Sequence, residues 1–449
     1  MSFPAYPTYK ESGCEWLGKV PEHWQALALS RVLAAPIADG PHTTPEFLDS
    51  GVPFLSVDGI QDGKLFFDGC RYVSLEDHKE FSKKAAPKYN DLLMGKAASI
   101  GKIARVTENI EFSIWSPLAL IRVNERQCSP EFLEFCLKSS ELQHQVLLAS
   151  NSNTQLNIGM KDIPKLRIPL PTVQVQTQIA RFLDHETARI DALIEEQQRL
   201  IELLKEKRQA VISQAVTKGL DPTVQMKDSG VEWLGEVPAH WTLSRAKLVS
   251  DIFVPQRNKP ELNDSEGIAW VTMEDMNGEY ISATKTKVTK LAVSEAGSKV
   301  LKKGAVIASC VGRFGIVAIN SVDVVINQQL QAFEPKNIKA EYLRNIVSLS
   351  KQYFELIGTA ATLVYVNQQG FENLPVLIPS ASEQDSICIY VDEANARFDI
   401  LLSQSFESIH LLQERRSALI SAAVTGKIDV RGWQPPANAS SPESAQEAV

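Results

Sequence analysis

Residues 83–105 place Lys83, Lys84, Lys88, Lys96, Lys102 and Arg105 against a single acid, Asp91. Residues 281–303 repeat the imbalance, with Lys285, Lys287, Lys290, Lys299, Lys302 and Lys303 against Glu295. Ammonium groups at such density can neutralise phosphates, a contact that positions a nucleic acid without reading it. Two further stretches carry side chains able to read base edges. "SNSNTQLN" (150–157) holds Asn153, Thr154 and Gln155, and "NQQLQ" (327–331) holds Gln328. Asn and Gln form paired hydrogen bonds to adenine, and Arg313, in "VGRFG", has the fork that matches guanine. Taken singly, each is as well explained as a turn residue, a cap or a solvated lysine.

No covalent chemistry is legible. "GKAASIGKI" (95–103) is one residue too long for a phosphate-binding loop and has Ile103 where Ser or Thr must reach magnesium. There is no GxGxxG after a strand, no GxSxG and no (N/D)PP(Y/F) tetrapeptide. The six cysteines are scattered without metal-ligand spacing, and the seven histidines form no HExxH. No metal site and no catalytic residue is expected.

What holds the binding residues is a repeat. "ESGCEWLGKVPEHW" (11–24) returns as "DSGVEWLGEVPAHW" (228–241), with ten of fourteen positions identical. Residues 176–217 then match 384–425 without a gap, at 18 of 42 positions. Among the shared residues are Gln176 and Gln384, Asp184 and Asp392, and Asp191 and Asp399. The offset drifts from 217 to 208, so each half joins a globular part of variable length to a segment of fixed length.

The fixed segment predicts a helix. Residues 174–217 lack Gly and Pro and are rich in good helix formers. Ile190, Ile194, Ile201 and Leu204 recur in steps of four, seven and three, and Phe398, Leu402, Ile409 and Leu412 do so in the second copy. That is a coiled-coil seam, interrupted at matching places by Gln197 and Ser405 and by Arg208 and Arg416. A helix of about 42 residues is about 63 Å long, well beyond the ~11–12 residues usual in globular proteins. Pro169, Pro171 and Pro379 precede the helices, while Gly219 and Gly426 follow as stops. Two like halves sharing one seam predict an antiparallel pair with pseudo-two-fold symmetry.

The globular halves read as α+β. Strands are expected within 51–60, 102–106, 117–123, 267–276, 304–312 and 315–326, and helices over 130–150 and 340–358. The expected organisation is 1–172, first mixed α/β domain; 173–219, central helix; 220–380, second domain; 381–430, C-terminal helix; 431–449, a disordered Pro/Ser/Ala tail. The net charge of −8 argues weakly against nucleic acid, but seven acids and three bases fall within residues 184–206 of the first helix, leaving the globular halves less acidic. The longest apolar runs fall short of a membrane span, and the N-terminal residues lack a secretion pattern, so a cytoplasmic location and no membrane partner are expected.

The duplicated opening motif, with "LRIPLPTVQVQTQIARFLDHETARIDALI" and "LPVLIPSASEQDSICIYVDEANARFDILL", resembles the specificity subunit of type I restriction–modification enzymes over about residues 9–430. One departure is "TVQVQTQIA", where the family often has an acidic pair before the glutamine. The resemblance implies two target recognition domains that bind a split, asymmetric site in double-stranded DNA, separated by spacer helices. It also implies two docked modification subunits carrying S-adenosylmethionine and adenine methylation, restriction subunits using ATP and magnesium where present, and no cofactor or catalysis in this chain. Trp16, Trp24, Trp233 and Trp241 would pack structurally or face the modification subunit. Two rivals are a duplicated coiled-coil adaptor that does not read DNA and a single-chain methyltransferase.

Overall fold

The two long stretches fold as helices Val173–Lys218 and Ala381–Val424 in a computed structural model that describes residues 3–97, 99–151, 156–255, 258–263, 265–359 and 364–436. The chain forms two units, one of residues 1–198 with 406–449 and the other of 199–405. Each unit therefore contains one globular part and a segment of both long helices.

In the first unit the two helices run antiparallel: Arg416 reaches Asp191, while Gln178, earlier on its helix, donates to the carbonyls of Val430 and Trp433, beyond the end of the other. In the second unit they also run antiparallel: Arg208 reaches Asn395 and Asp399, and Ala215 and Val216 share a core with Ile387 and Val391. The seam follows the heptad steps. Ile190 and Ile201 are buried; Ile194, Leu204, Phe398, Leu402, Ile409 and Leu412 are half-buried. Of the interrupting residues, Ser405 is buried, and Gln197, Arg208 and Arg416 are half-buried.

The stops work as expected. Gly219 and Gly426 both have φ of 75°, the left-handed conformation that ends helices at glycine. A Cβ on Gly219 would stand 3.2 Å from the Trp241 ring, and one on Gly426 would stand 2.5 Å from Pro21 and 3.3 Å from Trp24. The last tryptophan of each copy of the opening motif thus closes on a helix end within its own unit. Trp24 and Trp241 are buried, whereas Trp16 and Trp233 are half-buried against the same cores.

The frame around each motif is the same. Tyr9–Glu11 pairs antiparallel with Lys19–Pro21, as Met226–Asp228 does with Glu236–Pro238. Gln25–Ala28 pairs with Arg167–Leu170, as Thr242–Arg245 does with Pro375–Ile378. The first set keeps the offset of 217 on both strands and the second joins a strand offset by 217 to one offset by 208, so the repeat is one of register as well as composition.

Among the described residues, each globular part holds two sheets of three or more strands. In the first unit the strand order is Ile103–Arg105, Leu92–Gly95, Leu118–Ile121, Ala38–Asp39, beside a sheet ordered Ser113–Ile114, Val52–Leu55, Arg71–Val73. In the second it is Ser250–Phe253, Leu330–Pro335, Val306–Ser309, Val317–Asn320, Tyr280–Ile281, beside Leu262–Asn263, Lys287–Val288, Ile268–Val271, Val324–Ile326. Most ladders are antiparallel, but Ser113–Ile114 lies parallel to Val52–Leu55, Val324–Ile326 parallel to Ile268–Val271, and Tyr280–Ile281 parallel to Val317–Asn320. These are mixed sheets of an α+β architecture.

Three expectations need correction. The helices over 130–150 and 340–358 are each two helices, Pro130–Lys138 with Ser140–Leu148 and Ala340–Leu349 with Lys351–Ile357. Ser139 and Ser350 sit at the breaks and bond the carbonyls of Cys136 and Ile346, the local competition with helix geometry that serine offers. The 315–326 strand is two, Val317–Asn320 and Val324–Ile326. The tail does not begin loose at 431: Trp433 packs edge-on against Phe182, and its carbonyl accepts from Gln178. Residues 437–449 lie outside the described residues.

Candidate nucleic-acid interface

In each unit three loops meet at one end of the larger sheet. In the first unit, strand Leu92–Gly95 runs into the loop 96–101. The Lys96 amide donates to the Pro117 carbonyl at 2.8 Å, the Ile158 amide donates to the Lys96 carbonyl at 2.9 Å, and Ala97 bridges to Asn157. In the second unit, strand Val306–Ser309 runs into the loop 310–315. The Cys310 amide donates to the Gln329 carbonyl at 2.9 Å, the Val366 amide donates to the Cys310 carbonyl at 3.0 Å, and Val311 bridges to Tyr365. Two backbones of different sequence thus build the same junction.

The expected binding residues distribute unevenly over this frame. Arg313 and Gln328 lie on two loops of the second unit joined by the Cys310–Gln329 backbone bond, and both are exposed. Asn153, Thr154 and Gln155 lie outside the described residues. Lys88 lies at the other end of strand Leu92–Gly95 from Lys96, and Lys302 at the other end of Val306–Ser309 from Arg313. Lys285 is exposed in the turn before Lys287–Val288, and Lys287 donates to the Ser265 carbonyl at 3.1 Å. Lys102 donates to the Ile60 carbonyl at 3.0 Å.

Much of the basic character is neutralised locally. Lys84 and Lys96 both reach Asp39, Lys96 at 2.9 Å, and His42 approaches the same carboxylate at 3.3 Å. Burial alone would raise the Asp39 pKa, but the hydrogen bonds from Lys84 and Lys96 outweigh it and hold the carboxyl below its usual range. Lys83 pairs with Glu80, Arg105 with Glu131 and Glu134, and Lys302 with Asp323. A count of bases along the chain therefore overstates the charge available to phosphates, because acids distant in sequence fold against them.

Two sets of residues with clear positioning roles follow from the repeat. Gln176 is buried; its side-chain oxygen accepts from the Ser129 amide at 2.7 Å, and its nitrogen donates to the carbonyls of Pro171 and Gln127. Gln384 likewise accepts from the Lys339 amide and donates to the Pro379 carbonyl. Each glutamine ties the start of a long helix to the start of a domain helix. The identity of the two positions was the sequence signal. Nothing in spacing announces Arg71, whose guanidinium lies 4.5 Å from the Phe47 centroid and 5.7 Å from that of Trp115.

Among the described residues no group of three or more His, Cys, Asp or Glu side chains is placed to hold a metal. The buried thiols are poor nucleophiles and ligands: burial pushes Cys128 up to about 12 and Cys310 and Cys388 up to about 11. Among the described residues no helix is long and apolar enough to cross a membrane.

A family model for the type I restriction modification DNA specificity domain matches residues 22–204 and 246–405. The putative type I restriction enzyme MjaX specificity subunit of Methanocaldococcus jannaschii is 23% identical over 430 residues, covering 92% of this chain and 96% of its own. The type I restriction enzyme StySPI specificity subunit of Salmonella potsdam is 23% identical over 434 residues, covering 93% and 91%. Among solved structures, a chain from a type I R-M system studied for complex assembly and conformational transition superposes with a TM-score of 0.65 at 18% identity, covering 90% of this chain and 98% of that one. The HsdS subunit from Thermoanaerobacter tengcongensis superposes with a TM-score of 0.53 at 16% identity, covering 91% and 98%. The solved structures share the fold.

Proposed function

This chain belongs to the type I restriction–modification DNA specificity family, and we propose that it is the subunit that gives such a complex its DNA sequence. Each unit reads one half of a bipartite duplex site through its three-loop junction. The halves of the site differ because the loops differ: Lys96 and Lys102 flank one junction, Arg313 and Gln328 the other. The long helices set the gap between the half-sites. Two modification subunits dock on the repeated frame and supply S-adenosylmethionine and adenine methylation. Restriction subunits, where the system has them, supply ATP- and magnesium-dependent translocation and cleavage. The chain itself holds no cofactor, does no chemistry and acts in the cytoplasm.

The observation that carries this reading is the same junction built twice on one register with unlike polar residues. A duplicated scaffold for identical ligands would have no reason to keep the frame and vary the loops. The test exchanges residues 20–150 for those of a relative in the whole complex and maps methylated adenines across a genome. The expected result is a motif changed in one half only; two unchanged halves overturn the assignment. Four residues, about one helical turn, inserted within 194–206 are expected to lengthen the unread gap and leave the bases read unchanged.

A further inference from the structure

Strand Arg71–Val73 pairs antiparallel with Val52–Leu55 and places Arg71 opposite Phe54. Phe54 is buried, and Phe47 and Trp115 pack on it at ring separations of 5.9 and 6.0 Å. Phe47 and Trp115 also meet edge to face at 6.3 Å. The Arg71 guanidinium lies on these two rings. Phe54 anchors this bed in the core, so the two rings restrict where the guanidinium rests before any ligand arrives.

The charge of Arg71 is also available. The residue is exposed, and among the described residues it has no carboxylate partner. The other arginines of the two sheets in this part of the unit differ: Arg105 is held by Glu131 and Glu134, and Arg122 gives two hydrogen bonds to Asp91. The ground beside Arg71 is polar and open. The segment starting at Gly40 runs hard against Ile114 and Trp115, where a Cβ on Gly40 would stand 1.7 Å from the Ile114 carbonyl oxygen. That segment presents His42, Thr43 and Thr44 to solvent. Through Asp39, which meets both His42 and Lys96, it adjoins the loop 96–101 of the junction.

We infer that Arg71 is a specificity-determining residue of the first unit, reading the O6 and N7 edge of a guanine in the half-site bound there. The inference rests on the proposed function and deepens it. A phosphate contact needs only charge and does not require a guanidinium held against rings. Arginine or lysine can pair with the guanine O6 and N7 edge, but only the planar guanidinium both stacks on the rings and presents its fork at a set angle, so lysine is not equivalent at this stacked site. The aromatic bed supplies that angle and lowers the side-chain entropy lost on binding. An arginine kept merely to close an apolar cluster would not need its fork left free of acids.

The test uses the whole complex, with methylated adenines mapped genome-wide for wild-type, Arg71→Lys, Arg71→Ala and Phe47→Leu chains, and with duplex affinity measured against salt. Arg71→Lys is expected to keep the salt dependence of wild type. Discrimination at one guanine of one half-site falls about 10- to 100-fold, the range for one paired base contact, and the other half-site is unchanged. Phe47→Leu relaxes the same position to a smaller degree. Arg71→Ala relaxes it and weakens binding, and Arg71→Lys keeps the question open to measurement if the alanine chain melts early. An unaltered motif in both Arg71 variants, or an even loss of methylation at every site, overturns the inference. A wild-type complex that methylates no bipartite motif overturns the proposed function instead, so the two failures are distinguishable.

Discussion

Arg416 donates two hydrogen bonds to the carboxylate of Asp191, at 2.8 and 3.2 Å. In the other unit, Arg208 donates to Asp399 at 2.7 Å, and both residues of that pair are displaced from the first by 208 positions. One arginine of each seam thus finds the aspartate of the opposite helix. A polar residue in an apolar seam fixes register by the partner it requires.

Both members of the Arg416–Asp191 pair are partly exposed, so solvent screens them and the expected coupling is only about 0.5–1 kcal/mol. A double-mutant cycle of Arg416→Ala and Asp191→Ala, followed by urea denaturation, measures it. A coupling indistinguishable from zero would leave register to the apolar residues alone.

Gln176→Leu keeps the side chain's approximate volume but leaves the Ser129 amide and two carbonyls without their partner. Loss of a buried donor's partner costs about 1–3 kcal/mol, and Gln384→Leu is expected to fall in the same range. Denaturant midpoints check both. A loss below about 0.5 kcal/mol in either would show that nearby water replaces the amide without penalty.

The start of the second long helix is better capped than that of the first. Glu383 accepts from Trp241 Nε1 at 3.1 Å and from the Ser380 amide at 3.0 Å, lies 2.8 Å from His240 Nε2, and its own amide donates to Ser380 Oγ. In the first unit Val175 stands at the matching position, and among the described residues the buried Trp24 Nε1 has no partner. Thr172, His23 and Trp24 occupy the positions that match Ser380, His240 and Trp241, so Val175→Glu is expected to stabilise the chain by about 1 kcal/mol. A melting temperature that does not rise refutes it. In the native second unit, burial pushes the Glu383 pKa up, but its hydrogen bonds from His240, Ser380 and Trp241 outweigh this and hold it down to about 2. A folded pKa below the unfolded value means that this contribution is present above about pH 4.5 and fades as pH falls towards 2.

Asp184 behaves oppositely. Partial burial, then the nearby Glu134 carboxylate, push it up to about 6 against the weaker pull of Arg105. The folded chain therefore holds this proton more tightly than the unfolded chain, and ionisation removes stability as pH rises from about 4 to about 6. The residue is exposed, so solvent screens the charge and the effect is discounted to about 1 kcal/mol or less. Asp184→Asn is expected to stabilise the protein at pH 7 and to make no difference below pH 4, as urea titrations at the two pH values would show. Equal effects at both would exclude ionisation as the cause.

The long helices, their stops, the seam and the duplicated frame were all legible in order and spacing. These features depend on contacts between near neighbours in the chain or on a periodicity that one face of a helix imposes. The breaks at Ser139 and Ser350 were missed because helix propensity on either side is high and the deciding event is a serine hydroxyl turning back to a carbonyl. The basic segments were read as open charge. Asp39, more than forty residues before Lys84 and Lys96, removes much of that charge, and only folding brings it there.

The sequence by itself thus determined the doubled architecture and the absence of recognisable catalytic motifs, because repeats and motifs are written along the chain. Only the tertiary structure decided which cations remain free, which glutamine secures which helix, and that Arg71 lies on Phe47 and Trp115. Those outcomes depend on side chains brought from distant positions into van der Waals contact, and pairwise distances in a folded chain are not a function of spacing along it.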